Sequence, residues 1–345
     1  MTEAQRPIAV AEYEALARER VDPGAWDYQS GGAGDELSLA DNRAAWDRLR
    51  LRPRVLVDVA TRDLATTAFG VALTHPIIVA PTAAHHLSHA DAELASARGS
   101  AAAGALFTLS TISSVPMEEV AAASGPRWFQ LYAPADRDAC RALVERAAAC
   151  GYSAVAVTVD LPLPGNRERD RRNAFEIDLG VHLPPDQPVD PDTGIVVLPT
   201  MDFDDLAWLV SVCPVPLIAK GVLRADDALR VVDAGCDGVW VSNHGGRQLD
   251  TALAAIDALP EIAAAVGDRA LLVVDGGVRR GVDVLKALAL GADLVAVGRP
   301  VLWGLAVDGA DGVQRVLEIL RDELSLAMAL TGARSISEVT ADLIA

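Results

Sequence analysis

Short apolar, β-branched runs recur along this chain. Each is followed by glycine or polar residues and then by a segment with helical spacing. The runs are "HPIIVAP" (75–81), "LFTLST" (106–111), "RWFQLY" (127–132), "AVAVTVD" (154–160), "VPLIAKG" (215–221), "GVWVSNHG" (238–245), "ALLVVDGG" (270–277) and "LVAVGRP" (294–300). Continuous apolar runs of this length suit strands buried on both faces. The segments between them are rich in Ala and Leu, as in "DAELASARGSAAAG", "DRDACRALVERAAACG", "ADDALRVVDAG" and "GVDVLKALALG". Several end in Gly, the usual residue just past a helix. Eight strands alternating with helices predict a parallel sheet. That number favours an α/β fold of the closed (β/α)8 TIM-barrel type over an open doubly wound sheet. No G-x-G-x-x-G follows the first strand, so a dinucleotide-binding Rossmann reading has no support.

Two regions fall outside the repeat. Residues 1–74 hold a helix ("AVAEYEALARERV"), a glycine-rich turn, a second helix ("DELSLADNRAAWDRL") and an extended stretch ("RPRVLVDVATRDLATTAFGVALT"). They are expected to form an N-terminal helical extension packed on a barrel of residues 75–345. The second region is the long connection after the fourth strand, about residues 163–202. Its "HLPPDQPVDPDTG" is incompatible with regular structure. A loop of that length at that place is an active-site lid or a disordered insertion.

Composition narrows the partners. The 345 residues carry a formal net charge of -18, which argues against nucleic acid and anionic membranes. Cys140, Cys150, Cys213 and Cys236 form no CxxC pair and no zinc-type cluster, and read as reduced thiols. "MTEAQRPIAV" lacks the features of a signal peptide. No apolar stretch has the length of a membrane span, and "ADLIA" is no lipidation or peroxisomal signal. The expectation is a soluble, cytoplasmic protein.

In such a barrel the chemistry belongs at the carboxyl ends of the strands. "DGGVRRG" and "GRP" end the last two runs and supply Gly276, Gly277, Arg279, Gly298 and Arg299. Glycine amides and arginines there suit a phosphorylated ligand. Lys220 at the fifth run could form a Schiff base, stabilise negative charge on a ligand, or sit in a structural ion pair. Ser110, Gln130 and Thr158 offer uncharged groups for the edge of a heterocycle. His244 in "SNHGGRQ" is the best base candidate, with Asp160 placed to orient it. Arg247 and Arg167 could clamp a carboxylate beside that base, and Tyr132 could bond a substrate oxygen. "HHxxH" at His85, His86 and His89 has no acidic or Cys partner, so no metal site is expected there.

"SNHGGRQLD", followed by "DGGVRRGVDVLKALALGADLVAVGRP", resembles the FMN-dependent 2-hydroxy-acid oxidase/dehydrogenase family, which includes glycolate oxidase, lactate oxidase and mandelate dehydrogenase. The resemblance runs from "AEYEALARERV" to "MALTGARSISEV". It implies FMN as cofactor, His244 as active-site base and Asp160 as its partner. It implies Arg247 and Tyr28 on the substrate carboxylate, with Arg167 nearby and Tyr132 facing the substrate hydroxyl. Lys220 would lie near the flavin N1 and C2 carbonyl and stabilise the reduced ring. Pro81, Thr82, Ala83, Ser110, Gln130 and Thr158 would line the isoalloxazine. Ser242 would lie near the cofactor, Asp275 on the ribityl chain, and Gly276, Gly277, Arg279, Gly298 and Arg299 on the phosphate.

The chain also departs from relatives. Glycolate oxidases typically have a Trp in the segment that here reads "STIS", where this chain has Ile112. An opened, apolar pocket implies a substrate larger than glycolate, an aryl or branched (S)-2-hydroxy acid of the mandelate kind. The loop after the fourth strand is shortened, carries no membrane-binding segment, and no cytochrome domain precedes the barrel. Oxygen, reduced to H2O2, is therefore the expected acceptor, and Ala83, where some dehydrogenases carry Gly, leans the same way. The rivals are a dehydrogenase using a quinone or carrier protein, a monooxygenase that decarboxylates its product, and a phosphate-ligand barrel without redox work. A homo-oligomer, a tetramer, is implied by resemblance only.

Overall fold

The computed structural model describes residues 6–177, 180–183 and 201–345. Helices α1 (Val10–Arg20), α2 (Pro23–Ser30) and α3 (Leu37–Arg48) come first, then an antiparallel hairpin of β1 (Thr66–Ala68) and β2 (Val71–Leu73). The strands that follow are β3 (Ile77–Val79), β4 (Phe107–Ser110), β5 (Arg127–Leu131), β6 (Val155–Thr158), β7 (Leu217–Val222), β8 (Gly238–Val241), β9 (Leu271–Val274) and β10 (Leu294–Val297). They pair in parallel in that order, and β10 returns to β3, so the sheet closes into a barrel. Each apolar run yields one strand, shorter than the run because its polar end turns out into the mouth. The helices between strands are α4 (Ala92–Ala102), α5 (Met117–Ala123), α6 (Arg137–Ala149), α7 (Glu168–Arg172), α8 (Phe203–Val212), α9 (Ala225–Asp233), α10 (Ala255–Val266) and α11 (Gly281–Ala289). A last helix, α12 (Arg299–Thr331), is broken at Asp308 and Gly309.

Residues 6–74 contain one helix more than the pattern predicts. The stretch read as a glycine-rich turn includes α2. Asp22 caps it by accepting hydrogen bonds from Gly24 and Ala25, and Pro23 occupies its first position. The cap and the preset proline φ outweigh the poor helix propensity of Gly24. The extended stretch forms the β1–β2 hairpin, turned at Phe69 and Gly70 with φ of 48° and 77°, as a tight hairpin turn requires.

This hairpin plugs the amino-terminal end of the barrel. Ala68 and Leu73 pack with Leu106, Ala154, Ile218 and Leu294, which start or precede the strands. Above them lie two indoles, Trp128 and Trp240, edge to face with centroids 6.5 Å apart. Alternation along each strand then places one more inward residue two positions on. Trp128 is followed by Gln130, Ala156 by Thr158, Ile218 by Lys220, Trp240 by Ser242 and Val273 by Asp275. The barrel interior is therefore apolar below and polar at the mouth. The outward faces of the strands join the helices in a separate, larger core.

The long connection contains α7, and "HLPPDQPVDPDTG" beyond Leu183 lies outside the described residues. Among the described residues no helix is long and apolar enough to cross a membrane.

Candidate active site

The mouth opens into a cleft, the kind of concave site at which small molecules bind. Most of the expected site residues line it: Tyr28, Pro81, Thr82, Ala83, Ser110, Ile112, Tyr132, Arg167, Lys220, His244, Arg247, Asp275, Gly276, Gly277, Arg279, Gly298 and Arg299. Asp160, Gln130, Thr158 and Ser242 stand one layer behind and hold residues that do. Gln130 accepts from Ser110 Oγ at 3.1 Å and donates to Thr158 Oγ1 at 2.9 Å. Ser242 accepts from Lys220 Nζ at 3.3 Å and from the His244 backbone at 3.1 Å.

His244 follows β8 in a tight turn with φ of 58°. A positive φ at a non-glycine residue is strained, and the turn is over-determined. Asn243 accepts from the Gly246 amide and exchanges two 2.8 Å hydrogen bonds with Asn42 of α3. His244 Nδ1 lies 3.0 Å from Asp160 Oδ1, which leaves Nε2 as the ring nitrogen free for chemistry. Burial lowers the His244 pKa below the usual histidine value, and the Lys220 and Arg167 charges add to this against the pull of Asp160. Burial works against the Asp160 carboxylate, but His244 and Lys220 together hold it below the usual carboxylate value. A neutral imidazole held on a carboxylate in this way is chemically able to accept a proton.

Gly221 makes room for that carboxylate. Its φ is 112°, and a Cβ there would sit 2.4 Å from Asp160 Cγ. Lys220 therefore lies within β7 rather than at its end, because the strand bulges at Gly221 and pairs again at Val222. The nearest acid to Lys220 is Asp275, at 3.8 Å.

Four arginines line the cavity, Arg167, Arg247, Arg279 and Arg299, and among the described residues none of them forms an ion pair. Arg247 donates to the carbonyls of Tyr28 and Gly31, and its guanidinium lies 4.8 Å over the Tyr28 ring. Arg279 donates to Val278 O and stacks on Trp303 at 4.5 Å. Arg299 donates to Gln29 O, Gly245 O and Gly31 O, which leaves two of its five N–H groups for a ligand. Burial, then Arg167, brings Arg247 down to about 10. Burial brings Arg279 to about 10, and burial with Arg247 and Arg279 brings Arg299 to about 9. Such a cluster calls for anionic ligands.

Several contributors have no signal in the strand-end pattern. Trp46 Nε1 donates to Gly276 O at 2.8 Å, and a Cβ on Gly277 would meet Asn42 O at 1.8 Å. Helix α3 thus braces the glycine pair from behind, a contact between residues more than 200 apart in sequence. Gln248 staples the loop after β6, bonding Asp160 O at 2.8 Å, Leu163 O at 3.1 Å and the Gly165 amide at 3.1 Å. It stands inside "SNHGGRQ", so its motif did mark it. Leu161 and Ile177 also line the cavity, and Ile112 and Tyr132 pack on Leu161 and Leu183.

The histidines after β3 do separate work. His85 is buried with Nε2 2.7 Å from Thr82 Oγ1 and Nδ1 2.8 Å from Ser96 Oγ. His86 meets Ser114 Oγ at 3.0 Å, and His89 Nδ1 accepts from the Asp91 amide. Among the described residues no three His, Cys, Asp or Glu side chains are grouped to hold a metal.

The sequence pattern of the FMN-dependent dehydrogenase family matches residues 17–345. An L-lactate oxidase of a Nostoc species is 47% identical over 360 residues, covering 98% of each chain. The human 2-hydroxyacid oxidase 1 is 43% identical over 358 residues, covering 98% of this chain and 96% of that one. A solved mandelate oxidase with (S)-4-hydroxymandelic acid superposes with a TM-score of 0.92 at 38% identity, over 98% of each chain. Another, with benzoyl-formic acid, gives 0.91 at 40% identity over 99% of this chain and 98% of that one.

The residues present fit FMN. Among the described residues Asp275 Oδ1 is buried with no partner, which suits an acceptor for a ligand hydroxyl. Gly276 and Gly277, with φ of 95° and 75°, open their amides at the mouth beside Arg279 and the start of α12. Glycine amides beside arginines in this arrangement suit a phosphate dianion.

Proposed function

Given that this chain belongs to the FMN-dependent dehydrogenase family, we propose that it oxidises an (S)-2-hydroxy acid with an aryl or branched side chain to the 2-keto acid, passing the electrons to oxygen. The family fixes FMN as the cofactor and 2-hydroxy-acid oxidation as the reaction class. The observation that carries this reading of the site is one cavity holding a His–Asp pair at 3.0 Å beside an arginine that has no ion-pair partner among the described residues.

In this reading Arg247 binds the substrate carboxylate through its remaining N–H groups, with Tyr28 and Arg167 at its edges. The bound acid turns its Cα and hydroxyl toward His244 Nε2 and Tyr132. His244 takes one proton, from the hydroxyl if the α-hydrogen leaves with the electron pair as hydride, or from the α-carbon if a carbanion forms and the hydroxyl proton is then lost as the carbonyl forms; the Asp160 carboxylate offsets the imidazolium charge through Nδ1–H. FMN, when bound, takes up the two electrons that leave the substrate. Lys220 brings an ammonium to the same cavity, where it would stabilise negative charge on the reduced cofactor. Gly276, Gly277, Arg279 and Arg299 hold the phosphate, and Asp275 holds a ribityl hydroxyl.

The apolar wall of Ile112, Leu161 and Ile177 supports a substrate side chain larger than that of glycolate. The oxidase names of the curated relatives support oxygen as acceptor. The reading includes a cytoplasmic homo-oligomer, a tetramer by resemblance, which sedimentation of the purified protein checks. Anaerobic bleaching of the flavin by small, branched and aryl 2-hydroxy acids tests the substrate. Readmission of air with peroxide and product assays tests the acceptor. Stoichiometric peroxide and keto acid support an oxidase. Decarboxylated acid identifies a monooxygenase, and a flavin that stays bleached in air identifies a dehydrogenase.

A further inference from the structure

Two indoles fill the barrel beneath the cavity, and their polar atoms are treated differently. Trp128 Nε1 is buried with no partner among the described residues. Trp240 Nε1 donates to Asp275 Oδ2 at 2.9 Å. Asp275 and Lys220 both line the cavity, yet Lys220 Nζ stays 3.8 Å from that same Oδ2. The ammonium instead donates to Ser242 Oγ and stands 5.7 Å over the face of the Trp240 ring.

This spacing is wide for a buried pair. A carboxylate and an ammonium side by side in a low-dielectric interior gain by closing to hydrogen-bond distance. Three contacts oppose closure here, two of them from Trp240; the third is the Ser242 hydroxyl, which accepts from the ammonium. The indole N–H already bonds Oδ2, the oxygen nearer Lys220, and partly offsets its charge. The Trp240 ring face attracts the ammonium and fills the space beside it.

We propose that Trp240 is a positioning residue that keeps Lys220 and Asp275 from collapsing into a tight ion pair. Asp275 Oδ1 and the Lys220 ammonium are thereby presented separately to the cofactor. This rests on the reading that FMN occupies the cavity. An uncompensated ammonium favours the extra negative charge that two-electron reduction adds to FMN. A Lys220 closed onto Asp275 favours it less. The indole N–H therefore raises the affinity for reduced FMN relative to oxidised FMN, and with it the midpoint potential. The strand pattern asks only for an inward apolar residue at this place, so the N–H is an addition that packing alone does not explain.

The test compares Trp240→Phe with Trp128→Phe, each as FMN-loaded protein. Both lose an indole N–H and similar volume in the same layer, but only the first loses a hydrogen bond. The midpoint potential is measured by anaerobic dye-coupled titration. Trp240→Phe is expected to weaken reduced FMN about tenfold relative to oxidised FMN, a fall of about 30 mV. Trp128→Phe is expected to leave that ratio within about twofold of the parent. Trp240→His, which keeps a ring N–H, should recover part of the fall and supplies a second variant. In the parent protein, the Trp240 indole N–H resonance should move between oxidised and reduced states more than that of Trp128. Equal shifts in both phenylalanine variants, or none in Trp240→Phe while substrate still bleaches its flavin, overturns the proposal alone. A parent protein that takes up no FMN overturns the functional reading and the proposal together.

Discussion

Replacing Asp160 with Asn tests the base directly. The carboxylate accepts from His244 Nδ1 at 3.0 Å, and the charge centres of a carboxylate and an imidazolium in such contact lie about 4 Å apart. At an effective dielectric of about 20 that pair is worth about 4 kcal/mol. An amide keeps a neutral hydrogen bond worth about 1 kcal/mol. The loss of about 3 kcal/mol in the proton-accepting step slows it about 10²-fold. The assay is the stopped-flow rate of anaerobic flavin bleaching at saturating substrate, beside a binding titration showing that FMN is retained. pH adds a second discriminator. The buried imidazole has a lowered pKa, so the parent rate should be flat at neutral pH. It should fall on the acid side, below the usual histidine value, as His244 becomes protonated. Asp160 pulls that pKa upward, so its removal lowers the pKa further and makes a weaker base. Raising the pH should therefore not restore the variant. A bleaching rate within threefold of the parent, or full recovery at alkaline pH, would refute the assignment of His244 and Asp160 as a base pair.

Three further perturbations probe the surroundings. Gly221→Ala places a Cβ against Asp160 Cγ, so it should slow bleaching by at least about tenfold with no polar group removed; an unchanged rate would show that the carboxylate position is unimportant. Arg247→Lys forfeits the planar fork and should raise KM about 30- to 100-fold with a smaller effect on kcat, measured by steady-state oxygen uptake. Ile112→Trp fills the apolar wall built with Leu161 and Leu183, and should cut kcat/KM for an aryl substrate at least about tenfold more than for glycolate; equal losses would place the side chain elsewhere.

Much of this site is local in sequence because a parallel barrel delivers every strand end to one mouth. His244 and Arg247 follow one strand, Gly276, Gly277 and Arg279 another, and Gly298 and Arg299 a third. Reading the residue after each apolar run therefore reads the mouth. Asp160 could be suspected as the partner of His244 for the same reason, although 84 residues separate them. The chain order also showed that Gly pairs and arginines stand side by side on the last two strands.

Other features needed the closed structure, because they depend on which atoms face each other across long separations. Helix α2 was hidden by Gly24, since a capping aspartate and a proline decide a short helix more than average propensity does. The bracing of Gly276 and Gly277 by Trp46 and Asn42 joins the first 50 residues to the ninth strand. No periodicity encodes such a contact. The bulge that places Lys220 inside β7 follows from the positive φ of Gly221 and the space Asp160 takes beside it. The division of labour between Trp240 and Trp128 is likewise tertiary. Both are inward apolar residues to the strand pattern, and only the position of Asp275 gives one indole a partner. The alternation of residue types thus determined the barrel and the list of groups at its mouth. The distances that set His244 on Asp160 and keep Lys220 apart from Asp275 were decided by closure of the barrel, which sets strand against strand at fixed register.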